Sequence, residues 1–217
     1  MSKIREFAGM AKLGLILALY AAAACVMLAF VYTGTAGIIA GRQQADLEAA
    51  LRDLFPEADS FQKITGIQSP DPLVTFEDEY EARRNGEIAG AALRVSRGSY
   101  GGTIRILVGV GAGNRISGVK ILEHQDTPGL GANAASPSYY VDRARGITFY
   151  GQFKDKSTAD PFEVKGDVQA ITASTITSKA VADSVKAAGA AAAAWFASQA
   201  GAHTPAAGTA AAPGGIQ

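Results

Sequence analysis

Residues 103–122 read TIRILVGVGAGNRISGVKIL, and the fold turns on this stretch. Ile104, Ile106, Val108 and Val110 alternate with other residues, as side chains do on an extended strand with one buried face. Gly111-Ala112-Gly113-Asn114 then turns the chain, and Ile116 to Leu122 returns as a second strand. Upstream, Leu73 to Tyr80 is strand-like, Asn85-Gly86 is a hairpin turn signal, and Glu87 to Ser96 resumes an extended pattern. The acids Glu77, Asp78, Glu79 and Glu81 read as a solvated charge run on a strand edge. Downstream, Asp126 to Ser136 is expected as a Gly-rich loop, Pro137 to Arg145 as a short helix, and Phe162 to Val168 as an edge strand. Thr175 to Ala200 follows as a long Ala-rich helix, with Val181, Val185, Trp195 and Phe196 available to dock on the sheet. Residues 73–200 therefore predict an α+β domain, an antiparallel sheet with packed helices. The segment 201–217 is Ala/Gly/Pro-rich and is expected to be a disordered tail.

Toward the N-terminus, Leu13 to Tyr32 (LGLILALYAAAACVMLAFVY) is a run of twenty residues without a charge. At about 1.5 Å rise per residue it matches the roughly 30 Å hydrocarbon core of a bilayer. The expected anchor is 13–35, and the absence of charge continues to Gly41. A cleavable signal is the competing reading, but its apolar core is ordinarily shorter, about 7–15 residues. Cys25 follows Ala22-Ala23-Ala24, yet more apolar residues come after it, so it reads as a membrane-facing cysteine and not as a lipidation site. Lys3, Arg5 and Lys12 against Glu6 in segment 1–12 keep the N-terminus cytoplasmic and place everything after the span outside. Segment 36–72 is expected as a linker carrying an amphipathic helix, Gln43 to Phe55, with Leu47, Leu51, Leu54 and Phe55 at helical spacing and Pro56 ending it.

Bulk composition narrows the function. Lys plus Arg equals Asp plus Glu at 20 each, so no charge excess argues for nucleic acid. One cysteine and two histidines cannot furnish the ligands of an iron–sulfur cluster or structural zinc. Any redox chemistry must use an organic cofactor. Gly109-Val110-Gly111-Ala112-Gly113 invites a dinucleotide reading, but Asn114 occupies the third glycine position and no βαβ unit surrounds it, so it reads as a turn.

The segment Ala170 to Lys179 (AITASTITSK) places five hydroxyls, Thr172, Ser174, Thr175, Thr177 and Ser178, in the mouth of the long helix. Capping explains one or two of them, since Ser and Thr satisfy the free N–H groups of a first turn. A helix N-terminus also attracts phosphate through those amides and the dipole's positive end. Capping and a phosphate site both remain open on this ground alone.

Ile171 to Ser178 (ITASTITS) resembles the S/T-G-A-T-x-T/S motif of the FMN-binding domains found in RnfG, of the Rnf complexes, and in its relative NqrC, of the Na⁺-pumping quinone reductases, with Ala173 in place of glycine and Ser174 in place of alanine. Ser99-Tyr100-Gly101-Gly102 and Gly118 to Gly131 (GVKILEHQDTPGLG) resemble a second block of that family, with Asp126 where glutamate is usual. The resemblance implies that a flavin transferase splits FAD and joins FMN by a phosphoester to Thr175. It further implies that Thr172, Ser174, Thr177, Ser178, Glu123, Thr127, Gly129, Leu130 and Gly131 surround the cofactor, with Leu130 covering a ring face; for Glu123 a hydrogen bond to the flavin and a solvated carboxylate at a strand end both stay open. His124 carries no special role.

Resemblance also implies an electron-relay subunit of a membrane-bound ion-translocating ferredoxin:NAD⁺ oxidoreductase (Rnf complex), not catalytic alone and without metal ligands. Its partners are the other membrane subunits, the membrane and the transferase, with no nucleic acid. The alternatives are an NqrC-type subunit of a Na⁺-translocating quinone reductase, which shares the motif, and a flavin-free extracytoplasmic scaffold in which the hydroxyls only cap a helix. The expected location is the bacterial inner membrane, single-pass, with the main domain outside.

Overall fold

The structure, a computed structural model, describes residues 2–202, and the expected tail at 203–217 lies outside them. The chain divides into two compact units after Glu48.

The first unit is helical. Helix α1, Ser2–Leu54, is unbroken for 53 residues. The amphipathic helix expected at Gln43 to Phe55 is the C-terminal part of this same helix, not a separate element in a linker. Gly34, Gly37 and Gly41 weaken a helix by about 1 kcal/mol each but leave the hydrogen-bond ladder intact, and no proline interrupts it. The portion from Lys12 has an apolar window of mean hydropathy 2.5, none of it buried, long and apolar enough to cross a membrane. Thr33 and Thr35 donate their hydroxyl protons to Phe30 and Val31 carbonyls at 3.0 and 2.8 Å, so the helix itself satisfies them.

The second unit holds a five-stranded antiparallel meander in the order β1-β2-β3-β4-β5. The strands are β1 Ser60–Ile64, β2 Thr75–Arg84, β3 Glu87–Gly98, β4 Thr103–Gly111 and β5 Arg115–Glu123. Both expected hairpins form. Asn85 and Gly86 have φ of 51° and 83°, the paired positive angles that match a two-residue turn to strand twist. Strand β1 has no clear signature in the sequence, because SFQKI carries no sustained apolar alternation.

One sheet face is the core: Leu93, Val95, Ile104, Ile106, Val108 and Val110 lie fully buried with Val181, Val185, Ala188 and Ala192 of helix α2, Thr175–Ala202. Alanine serves α2 twice, since it is the best helix former and its short side chain lets the backbone approach the sheet. Phe149, Phe153 and Phe162 close the core, with ring centroids 5.8 Å (edge-on) and 6.4 Å (stacked) apart.

On the opposite face, Gly90, Gly109 and Gly118 make a floor for Leu54 and Phe55. A Cβ at Gly90 would stand 2.4 Å from the Phe55 ring, and one at Gly118 would stand 2.8 Å from Leu54. Part of the glycine run that invites a dinucleotide reading is thus packing surface, and the rest is the turn, where Asn114 takes φ 56°.

Three local expectations are corrected. Pro137 to Arg145 is not helical: Ser136 and Asp142 side chains accept the Ser138 and Arg145 amides, and a small hairpin forms from β6 Tyr140–Asp142 and β7 Ile147–Thr148. Phe162 to Val168 is not a strand, because Phe162 and Lys165 adopt φ of 52° and 73° and Asp167 accepts the Glu163 amide, folding the segment into a tight loop.

The acids of β2 are not a solvated edge run either, since β1 pairs with Glu79 to Arg83 and basic side chains engage Glu77 and Asp78. Glu77 accepts from Arg94 and Arg105 at 3.1 and 2.9 Å, Asp78 pairs with Arg94 at 2.9 Å and with Lys63, and Glu79 accepts the Ile67 amide at 3.1 Å. Glu81 is 6% exposed and pairs with Arg83. Hydrogen bonds from Arg105 to Glu77 and then Glu123 raise the Arg105 pKa.

Candidate flavin site

Three segments meet at the N-terminal end of α2. The first is the turn before the helix. Ser178 Oγ accepts the Ile171 amide and donates to the Ser174 carbonyl, both at 2.9 Å, closing the turn from inside. Ala173 is forced to φ 59°, the left-handed region. Ser174 is nearly buried, and Thr177 and Ser178 are fully buried. Thr175, the first residue of the helix, is exposed.

The second segment is the loop after β5. Gly129 takes φ 78°, and the Thr127 carbonyl accepts the Leu130 and Ala132 amides at 3.1 and 3.3 Å before a short 3-10 turn, Gly131–Ala135. The third is the β3–β4 connection, where Ser99 donates its amide to the Gly102 carbonyl at 2.7 Å.

Asp126 joins these segments. It is 5% exposed; its Oδ2 accepts the Ser99 hydroxyl at 2.7 Å and its Oδ1 the Gly101 amide at 2.6 Å. Ser99 Oγ is 3.3 Å from Thr177 Oγ1. The glycines permit this closeness, since a Cβ at Gly131 would stand 2.6 Å from Thr177 Oγ1 and 2.7 Å from the Asp126 carboxyl carbon.

Between the segments lies a cavity of about 380 Å³, lined by Tyr100, by Thr127, Leu130 and Gly131, and by residues 173–177. Tyr100, Leu130 and Ile176 are 72%, 40% and 58% exposed, an apolar rim on a site with polar groups below. A larger groove of about 680 Å³ lies by Phe55, Arg84 and Lys154 but includes no residue of the hydroxyl cluster. Size alone does not locate the chemistry.

Of the residues singled out from the sequence, Thr127, Leu130, Gly131, Ser174, Thr175 and Thr177 line one cavity. Gly129 shapes its loop and Ser178 its turn. Thr172 is exposed, its amide donating to the Tyr139 hydroxyl at 3.1 Å, and it does not line the cavity. Glu123 pairs with Arg105 and lies in a separate polar pocket with His124 and Gln125. Tyr100, Ile176 and Asp126 are site residues that sequence reasoning did not select. The signal for Tyr100 is its place before Gly101-Gly102, and for Ile176 an apolar side chain off the helix stripe that docks on the sheet.

The residues present fit FMN. The volume lies within the range of about 300–1,000 Å³ usual for small-molecule pockets. The first-turn amides of α2 have no carbonyl partner within the helix and suit a phosphate, and the rim suits a planar ring.

Comparison with known proteins agrees. Residues 99–190 match the family described as FMN-binding domain, and residues 1–54 match the RnfG N-terminal region. The G subunit of the proton-translocating ferredoxin:NAD(+) oxidoreductase complex of Clostridium ljungdahlii is 34% identical over 74% of this chain and 80% of its own length. The G subunit of the Na(+)-translocating ferredoxin:NAD(+) oxidoreductase complex of Acetobacterium woodii is 32% identical over 80% and 87%. The G subunit of the ion-translocating oxidoreductase complex of Methanosarcina acetivorans is 30% identical over 76% and 84%. With an FMN-binding domain behind a helix long enough to cross a membrane, this chain belongs to the RnfG family, the G subunits of the ion-translocating oxidoreductase (Rnf) complexes.

Proposed function

We propose that the chain is the electron-relay subunit of a membrane-bound ion-translocating ferredoxin:NAD⁺ oxidoreductase, carrying FMN as a phosphoester on Thr175. One observation carries the choice of residue: of the five hydroxyls in the helix mouth, Thr175 alone is both exposed and on the cavity wall. In the attachment step the Thr175 hydroxyl loses its proton and bonds to the flavin-side phosphorus of FAD, with AMP leaving. A flavin transferase catalyses this exchange.

Once bound, FMN supplies one- and two-electron transfer. The protein's part is to hold it: the first-turn amides of α2 would receive the phosphate, and Tyr100 and Leu130 would lie beside the ring and limit its contact with water. Helix α1 anchors the chain, with the N-terminus in the cytoplasm and the second unit outside. Its partners are the membrane and the complex's other membrane subunits, to which electrons pass.

Expression of the full chain with a flavin transferase tests the reading. The denatured gel band is expected to fluoresce under ultraviolet light, Thr175→Ala to be dark, and Thr172→Ala to stay bright. A dark wild-type band, or a bright Thr175→Ala band, sinks it.

A further inference from the structure

Asp126 is a buried acid for which the attachment chemistry has no use. Among the described residues it has no ion-pair partner. The Ser99 hydroxyl and the Gly101 amide are neutral donors; they satisfy its oxygens and bring no counter-charge. A buried charge without a counter-charge is costly to keep, so its retention calls for a reason other than packing. Its position offers one. Gly131 and Thr127 line the cavity, Asp126 precedes Thr127 in the chain, and the carboxyl carbon lies directly behind Gly131, within 2.7 Å of where a Cβ would be. The Thr177 hydroxyl, from a residue that also lines the cavity, stands 2.6 Å from the same position, so Asp126 sits just beneath this part of the wall.

We propose that Asp126 sets the electron affinity of the cavity's occupant, its carboxylate under the floor opposing the arrival of electrons. The proposal rests on the FMN reading above. Reduction of the flavin takes two electrons from a donor, which is oxidised, and one proton from the buffer, so the occupant becomes one unit more negative. A nearby carboxylate in a medium of intermediate dielectric disfavours that change by about tenfold in the equilibrium ratio.

The test uses the full chain co-expressed with a flavin transferase and equilibrated with a two-electron reference dye at fixed dye ratio. Asp126→Asn keeps the shape and removes the charge. Its ratio of reduced to oxidised flavin is expected to rise about tenfold over wild type, while its thermal midpoint stays the same or rises because a buried charge is gone. Ser99→Ala removes a hydrogen bond and keeps the charge, so it should not reproduce that rise. A fluorescent denatured band establishes the covalent flavin separately, and a dark wild-type band is a failure of the FMN reading alone. A flavin-bearing Asp126→Asn chain whose ratio stays within twofold of wild type overturns the proposal. Asp126→Ser, smaller and neutral, is the second variant. If both neutral variants fail to fold, or fold without taking flavin, Asp126 is a brace or an attachment residue and the proposal is likewise overturned.

Discussion

At Ala173 a side chain occupies backbone space that favours glycine. With φ at 59°, its Cβ crowds the following carbonyl, at a cost of about 1 kcal/mol. Ala173→Gly is expected to stabilise the second unit by up to about 1 kcal/mol, the relief being partly offset by the freer unfolded chain. Urea unfolding measures it, and a lower midpoint would contradict the assignment of strain. Gly131 is the reverse case. A Cβ there meets Thr177 Oγ1 and Asp126 at 2.6–2.7 Å, so Gly131→Ala should cost about 1–3 kcal/mol and reduce flavin attachment in the fraction that still folds. Unchanged stability with unchanged gel fluorescence would refute the close packing at this floor.

At the scale of elements, the sheet is gripped on both faces. Val95 and Ile106 pair across β3 and β4 and are fully buried on the face toward α2. Ile106→Ala is expected to cost about 2–5 kcal/mol, read from denaturant unfolding. On the other face, Gly90 and Phe55 form a pair whose coupling is measurable. Gly90→Ala alone should destabilise by about 1–3 kcal/mol through the Phe55 ring. In a Phe55→Ala background the same change should cost less, and strict additivity in the double-mutant cycle would show that the two do not touch.

The hairpin turns at Asn85-Gly86 and Gly111–Asn114 were legible because their φ requirements are local. The β2 acids were not, since whether a carboxylate faces water or an arginine two strands away depends on sheet order. The same holds at Pro137 to Arg145 and Phe162 to Val168, where Ser136, Asp142 and Asp167 bind nearby amides and displace the helix and strand that propensity favoured.

At the scale of the molecule, stability should depend on pH through the loop around Asp167. Burial alone raises its pKa, but the Lys156 hydrogen bond at 2.8 Å, the Glu163 amide at 2.6 Å and the Lys156 charge outweigh burial and hold it below the usual carboxylate value. A depressed carboxylate contributes stability that is present above its unfolded pKa and is lost as pH falls through its folded pKa. Asp167→Asn should therefore unfold more easily than wild type at neutral pH, by about 1 kcal/mol given its partial exposure, with the two converging in acid. A difference that persists unchanged at pH 2 would rule out titration of Asp167 as the cause.

The sequence by itself determined the apolar span, both hairpins, the long Ala-rich helix and the hydroxyl cluster at its mouth, because each depends on the spacing of neighbouring residues. It also carried the two motifs that mark the family. Tertiary structure decided which hydroxyl is free, that Tyr100 and Ile176 rim the cavity, that Glu123 turns to Arg105, and that Asp126 stands unpaired by any described cation behind Gly131. Those outcomes depend on segments some 18 to 78 residues apart being brought into contact, and no local pattern specifies which of several similar side chains the packing will bury.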